Sequence, residues 1–229
     1  MTTPPNINFH LGDCMDLMQG KPDKYWDLAI VDPPYFSGPE KRKFYGSEFS
    51  SHGVKRIDYK PLTWTWMPPS EDYFIELQRV SKNQIVWGFN YYEYKFKGSG
   101  IIVWDKVNDA SSFSDCELAF CSLIKHVRIF RYMWFGMMQG SGNGTCSKMN
   151  GNKKLQEKKF HPTQKPVALY RWLLEKYAKP GQRILDTHGG SMSSAIACHD
   201  LGFDLDIIEL ALDTSLFALP QSSIVNPKS

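Results

Sequence analysis

The sequence predicts an α/β fold organised on a mostly parallel sheet. Short apolar runs alternate with amphipathic helical stretches along the 229 residues, the pattern of strand–helix–strand units. Acidic or glycine-bearing segments follow directly on several of these runs, at strand ends where open α/β sheets hold ligands. Hydrophobic residues make up 42% of the chain, enough for a core, yet no apolar run reaches transmembrane length.

Ile7, Phe9 and Leu11 alternate in period two and predict a first strand, closed by Gly12-Asp13. Asp13 is placed to cap a short helix carrying Met15, Leu17 and Met18. Residues 26–31 form a buried apolar strand, stopped by Pro33-Pro34, whose fixed backbone cannot continue it. Ser70, Glu71 and Asp72 start a helix with Phe74, Leu77 and Val80 on one stripe. Residues 84–91 and 101–104 return to strand. Residues 117–123 and 126–135, separated by a short connection, are expected as a final antiparallel pair. A helix follows Pro166, with Val167, Tyr170, Leu174 and Tyr177 on one face and Lys179-Pro180-Gly181 as its stop. A strand at 183–186, a helix ending near Gly202 and a strand at 204–208 complete the chain.

Two segments interrupt this rhythm. Residues 36–69 hold six basic against three acidic residues, interleaved with Phe36, Phe44, Tyr45, Phe49, Tyr59, Trp64 and Trp66. Residues 136–160 hold five basic against one acidic. The rest of the chain is net acidic, although the whole carries +3. Cations among aromatic rings suit nucleic-acid backbones and bases, so both loops are candidates to meet nucleic-acid phosphates through Lys41, Arg42, Lys43, Lys55, Arg56, Lys153 and Lys154. Some of the rings pack the loops down. Five cysteines without Cys-x-x-Cys spacing read as free thiols, and the first residues lack the features of a signal peptide. A cytoplasmic protein without a structural metal is expected, since His161 and His188 have no completing ligand pattern.

Two constellations carry chemistry. At Asp32-Pro33-Pro34-Tyr35 a carboxylate, a rigid carbonyl-rich turn and a ring converge just beyond a strand. Such a spot accepts hydrogen bonds from an amino group and stacks on a flat ring. Trp87 and Asn90, near the end of the following strand, are second-line candidates, Trp87 with a core-packing role as the plainer reading. At Asp186-Thr-His-Gly-Gly-Ser191 glycines lie between strand and helix, where a ligand approaches backbone and helix N-terminus. Glu209 ends the next strand at the offset where a carboxylate reaches ribose hydroxyls. Neither Gly-Lys-Ser/Thr nor Gly-x-Gly-x-x-Gly is present, which leaves a nucleoside site without pyrophosphate.

With both constellations, the chain resembles the N6-adenine/N4-cytosine DNA methyltransferases of the β, or circularly permuted, group. Gly12-Asp13-Cys14, Asp32-Pro-Pro-Tyr35, His161-Pro-Thr-Gln-Lys-Pro166 and Leu185-Asp-Thr-His-Gly-Gly-Ser191 with Glu209 match in the group's order over roughly residues 7–210. The resemblance implies a Rossmann-like, circularly permuted S-adenosylmethionine-dependent methyltransferase fold, mostly parallel with an antiparallel final strand, as a single domain over 1–229. It implies Asp32, Pro33, Pro34 and Tyr35 as the catalytic segment. Asp13 and Cys14 would receive the cofactor's adenine, and His161, Thr163 and Lys165 its methionine end. Asp186, Gly189, Gly190, Ser191 and Glu209 would form the cofactor loop and ribose carboxylate. The implied reaction is methylation of adenine N6 in a DNA base flipped from the duplex, with Asp32 ionised at an ordinary acidity and Tyr35 stacked on the base. Asp at the first catalytic position leans towards adenine in this group and Ser towards cytosine. N4-cytosine methylation is the alternative within the class, and a catalytically weakened DNA-binding relative the alternative outside it. DNA is the implied partner, and a second copy of the chain is a partner the small size allows. Two departures stand out. Met192 occupies the position of the loop's second glycine, and residues 211–229 lack the long amphipathic helix expected after Glu209.

Overall fold

The computed structural model describes residues 4–35, 67–108, 114–135, 138–141, 156–159 and 163–210. Five parallel strands form the half of the sheet that positions the site: β1 (Ile7–Leu11), β2 (Trp26–Val31), β3 (Ser81–Trp87), β9 (Arg183–Asp186) and β10 (Asp204–Glu209). They lie in the order β1-β10-β9-β2-β3, and β5 (Cys116–Cys121), β4 (Ile101–Asp105) and β6 (Val127–Arg131) extend the sheet beyond β3. β5 runs against both of its neighbours, whereas β4 and β6 pair in parallel.

Alternation along each strand explains the layers. Leu28 and Ile30 of β2, Ile85 and Trp87 of β3, Ile184 of β9 and Ile207 of β10 share one face with α3 (Val167–Tyr177) and α4 (Ser193–Leu201). Ala29, Val31, Val86, Leu185 and Ile208 share the other with α1 (Cys14–Gln19) and α2 (Glu71–Val80). Helix α2 buries Tyr73, Phe74, Leu77 and Val80, each worth about 1.5–3 kcal/mol against exposure. At its start Ser70 makes no side-chain cap, so the sequence identified the boundary but not the bond. Asp13 does cap α1, accepting from the Met15 amide at 2.8 Å. Helix α4 stops at Gly202, whose left-handed backbone (φ 77°) returns amides to the last turn.

Three expectations are corrected. The strand expected at 84–91 runs from Ser81 to Trp87, because Gly88 turns left-handed (φ 68°) and Phe89–Tyr91 make one 3-10 turn. The expected strand 126–135 divides into β6 and β7 (Trp134–Phe135), the latter paired with β8 (Met138–Gln139) at the start of the second basic segment. Nor do β5 and β6 pair with each other: β4 lies between them, Ile101 meeting Phe120 on one side and Val127 on the other. Gly100 makes this insertion possible. A Cβ there would stand 2.2 Å from the Cys121 carbonyl oxygen and 2.3 Å from that of Ile124, so only glycine lets the 122–126 connection close over the start of β4.

Candidate active site

Parallel pairing brings the ends of β1, β10, β9, β2 and β3 to one edge, and with them Asp13, Glu209, Asp186, Asp32 and Gly88. β5 contributes from the opposite direction. Ala119 pairs with Trp87 at the end of β3, so Glu117, two residues earlier on a reversed strand, projects past that end. Lys106 follows β4 at the same place, its amide bonded to the Asp115 carbonyl at 2.9 Å.

The corner at β2 and β3 is a network of ions. Lys165 Nζ lies 2.5 Å from Asp32 Oδ2 and 3.0 Å from Glu117 Oε2, and donates to the Tyr35 hydroxyl oxygen at 2.5 Å. The Tyr35 hydroxyl is in turn 2.8 Å from Asp32 Oδ1 and 3.0 Å from Glu117 Oε2. Lys106 Nζ holds Glu117 Oε1 at 2.5 Å. Burial raises the Asp32 carboxyl above its ordinary range, opposed by the Lys165 ammonium and reinforced by the Glu117 charge. Its expected ordinary acidity is therefore corrected. Glu117, with two ammoniums against it, is held low despite its burial. Burial works against the Lys165 ammonium, but Asp32 and Glu117 together hold its pKa above the usual lysine value.

The backbone of this corner is equally determined. The Pro33 carbonyl accepts from the Tyr92 hydroxyl at 2.9 Å. A Cβ on Gly88 would stand 2.2 Å from the Tyr35 ring, so glycine both supplies the turn and admits the ring. Tyr35 stacks on Tyr91 with centroids 5.3 Å apart and planes within 2°, and Tyr91 is 52% exposed. Trp87 is wholly buried, with the Lys165 ammonium 5.5 Å from its ring centroid, and its indole nitrogen has no partner among the described residues. Asn90 is exposed.

The second corner, at β9, β10 and β1, is built with amides and hydroxyls. Glu209 Oε2 accepts from the Gly190 amide at 2.6 Å and Oε1 from the Leu210 amide at 3.1 Å. Asp186 accepts from the His188 amide at 3.0 Å and the Ser194 hydroxyl at 2.5 Å, and burial pushes it up to about 7. Burial pushes the His188 imidazole down to about 4, and its Nδ1 lies 2.9 Å from the Thr187 hydroxyl. Thr187 meets the Tyr73 hydroxyl at 2.6 Å. Burial raises the Cys14 thiol to about 12, which keeps it protonated. A Cβ added to Gly190 (φ 47°) would meet, among the described residues, only the His188 carbonyl oxygen, at 3.9 Å. Gly189 is tight instead, with Ile207 2.9 Å from such an atom.

Asp32, Pro33, Tyr35 and Lys165 thus come together at one corner, and Asp13, Cys14, Asp186, Gly189, Gly190, Ser191 and Glu209 along the neighbouring edge. Lys165, expected at a cofactor's methionine end, places its ammonium on Asp32, while Thr163 is exposed. His161, Lys41, Arg42, Lys43, Lys55, Arg56, Lys153 and Lys154 lie outside the described residues. Sequence reasoning missed Glu117, Lys106, Tyr91 and Glu157. A carboxylate opening a reversed strand was the available signal for Glu117. Glu157 supplies the cap of α3, its oxygens accepting the Val167 and Ala168 amides at 2.6 and 3.3 Å.

Residues 56–210 match the N6/N4 methyltransferase family model, described as DNA methylase. The chain is similar to the type II methyltransferase M2.MboI of Moraxella bovis, 25% identical over 222 residues that cover 84% of this chain and 78% of the relative. It is also similar to M.HinfI of Haemophilus influenzae, 23% identical, covering 86% of this chain and 64% of that protein's length. Among solved structures, the M1.HpyAVI–SAM complex superposes with a TM-score of 0.52 at 18% identity, covering 93% of this chain and 98% of the other. The cytosine-N4-specific PvuII DNA methyltransferase gives 0.52 at 13% identity, covering 96% and 89%. These two structures share the fold described above.

Proposed function

The chain belongs to the N6/N4 DNA methylase family, and from that premise we propose that it transfers a methyl group from S-adenosylmethionine to the N6 amine of an adenine flipped out of DNA. The family match begins beyond Asp32, so the observation that carries the base and the chemistry is the Asp32 corner itself. A carboxylate and a proline carbonyl are held rigidly at the sheet's carboxyl edge, beside a glycine loop tied to an acidic strand end.

The second corner fits the cofactor. Gly190 leaves room where a side chain would intrude, and Glu209 is oriented by two backbone amides, suiting it to a vicinal diol. Asp13, Asp186 and Glu209 give the edge acidic character appropriate to a ligand carrying a sulfonium. We assign the ribose to Glu209, the loop to Asp186, Gly189, Gly190 and Ser191, and the adenine end to Asp13 and Cys14. When bound, the cofactor supplies a methyl group already activated on positive sulfur.

The chain's task is to make a poor nucleophile attack. An adenine amine delocalises its lone pair into the ring. Accepting one amine proton at Asp32 and another at the Pro33 carbonyl favours a pyramidal nitrogen with a localised lone pair. That carbonyl already takes the Tyr92 hydroxyl, and its second lone pair remains for the amine. Once the nitrogen carries the methyl it is cationic, and its surplus proton passes to Asp32, whose raised pKa suits an acceptor, and then to water. Fixing the amine in line is itself worth up to ~7–11 kcal/mol. Tyr91 covers the Tyr35 face on which a base would stack, so base entry moves Tyr91 or uses its outer side. Flipping costs a few kcal/mol, offset by phosphate contacts from the basic segments 36–69 and 136–160.

Methyl-labelled cofactor, unmethylated genomic DNA and digestion to nucleosides test this reading. Label in N6-methyladenine is expected. Label in N4-methylcytosine would move the substrate to the other base, and no label in DNA would overturn the reading.

A further inference from the structure

Asp32 is not idle in the structure: Lys165 and Tyr35 already occupy both of its oxygens. To accept amine protons it must give up part of this pairing, and the Lys165 side chain, only 3% exposed, has little water to turn to. A second anion has to hold that ammonium in place. We propose that Glu117 is the positioning residue of the catalytic centre, anchoring Lys165 and Tyr35 so that Asp32 is released towards the substrate amine. The proposal rests on the methyl-transfer reading of the site.

Geometry supports it at each contact. Glu117 Oε2 meets both the Lys165 ammonium and the Tyr35 hydroxyl, at 3.0 Å each, so one oxygen shares both of Asp32's partners. Its other oxygen is pinned by Lys106 at 2.5 Å. The four charged groups comprise two carboxylates and two ammoniums, and an ammonium's three donors are matched here by Asp32, Glu117 and Tyr35. Glu117 also stands on a strand, paired with Trp104 of β4. β5 is hydrogen-bonded on both sides, to β3 and β4, whereas Asp32, Tyr35 and Lys165 all sit in connecting segments. Without the Glu117 charge, Lys165 leans on Asp32 alone and faces Lys106 without a shared counter-ion. Asp32 then stays engaged when the amine arrives.

Glu117→Gln preserves shape and removes only the charge. The expected result is a fall in kcat of at least ~10-fold, the scale of one charged hydrogen bond. The KM for DNA and the calorimetric Kd for S-adenosylmethionine should stay within about threefold. Glu117→Asp keeps the charge at shorter reach and should fall between the two. A second readout needs no turnover: in ¹⁵N NMR the Lys165 ammonium resonance, slowed in exchange by its ion pairs, should shift or broaden in Glu117→Gln. An unchanged kcat in Glu117→Gln would overturn the proposal, as would a loss of kcat matched by an equal loss of cofactor affinity. If the Gln protein does not fold, an unchanged kcat in Glu117→Asp overturns it in the same way. Should the wild-type protein methylate no DNA, the functional reading fails separately. The Lys165 resonance then decides: a shift in Glu117→Gln sustains the anchoring role and an unchanged signal ends it.

Discussion

The two corners of the carboxyl edge hold their carboxylates by different means. At the first, Asp32 and Glu117 meet the ammoniums of Lys165 and Lys106. At the second, Asp186 and Glu209 meet backbone amides and a hydroxyl. The difference matches the partners proposed for each. A neutral amine is best received by a charge already balanced, whose position and basicity are tuned by neighbours. A cationic ligand is best received by a carboxylate such as Glu209, oriented by amides with no cation against it, while burial leaves Asp186 close to neutral and suits it to holding the loop.

Substitutions should separate the corners. Asp32→Ala is expected to reduce methyl transfer by at least ~10³-fold, since it removes the fixed acceptor at the reacting nitrogen, while calorimetric cofactor affinity changes by less than about threefold. Affinity lost along with turnover would show that the corners are not independent. Glu209→Gln is the reciprocal case. It should weaken cofactor binding by roughly 10–100-fold, the scale of hydrogen bonds to a charged group, and leave kcat at saturating cofactor nearly unaltered. A collapsed kcat with intact affinity would place Glu209 in the wrong corner.

The second corner was the more legible from sequence. Its residues lie in one short segment and at the next strand end, so glycine spacing and strand periodicity were enough to bring Asp186, Gly190 and Glu209 together. The first corner is assembled from β2, β5, the end of β4 and the segment before α3, which no local pattern connects. Asp32 was readable because two prolines mark its turn. Glu117 looked like an ordinary polar residue in a strand, and only the reversal of β5 carries it to the edge. The sequence predicts an antiparallel pairing of 117–123 with 126–135 and not a reversal of β5 against β3 and β4, because Gly100 gives no hint in sequence that its missing Cβ admits β4 between these two strands. Likewise, the position of Lys165 in its motif suggested a cofactor contact, while its burial beside two carboxylates depends on long-range packing.

The contrast also predicts how the second corner responds to pH. Asp186 titrates at about 7 in the folded chain against ~3.9 for an unperturbed carboxyl, so the folded state binds the extra proton between these values. Across that window its contribution to stability declines as pH rises. His188 is lowered to about 4 from ~6.5, so between those values the unfolded state binds the proton and stability rises with pH. The two slopes oppose up to about pH 6.5. In urea unfolding, His188→Phe should therefore uncover a loss of about 2 kcal/mol between pH 5 and 7, on ~1.4 kcal/mol per pKa unit. Asp186→Asn should leave only the rise. Identical pH profiles for the wild type and both variants would remove burial as the cause of either shift.

Met192 offers the finest distinction, between a side chain that narrows the cofactor's loop and one that supports it from beneath. Its backbone is left-handed (φ 61°), which costs a non-glycine residue about 1–2 kcal/mol. Its side chain is only 5% exposed and belongs to the core shared by α3 and α4, with Cε 3.0 Å from where a Cβ on Gly189 would stand. Burying such a side chain is worth about 1.5–3 kcal/mol, somewhat more than the strain it imposes. Met192→Gly should thus relieve the backbone, lose the packing and leave the protein about 1 kcal/mol less stable by chemical denaturation. Cofactor affinity should change by less than about threefold, because the side chain points into the core. A tenfold gain in affinity would instead mean that Met192 intrudes on the ligand, and that the second corner is built less openly than its neighbour Gly190 suggests.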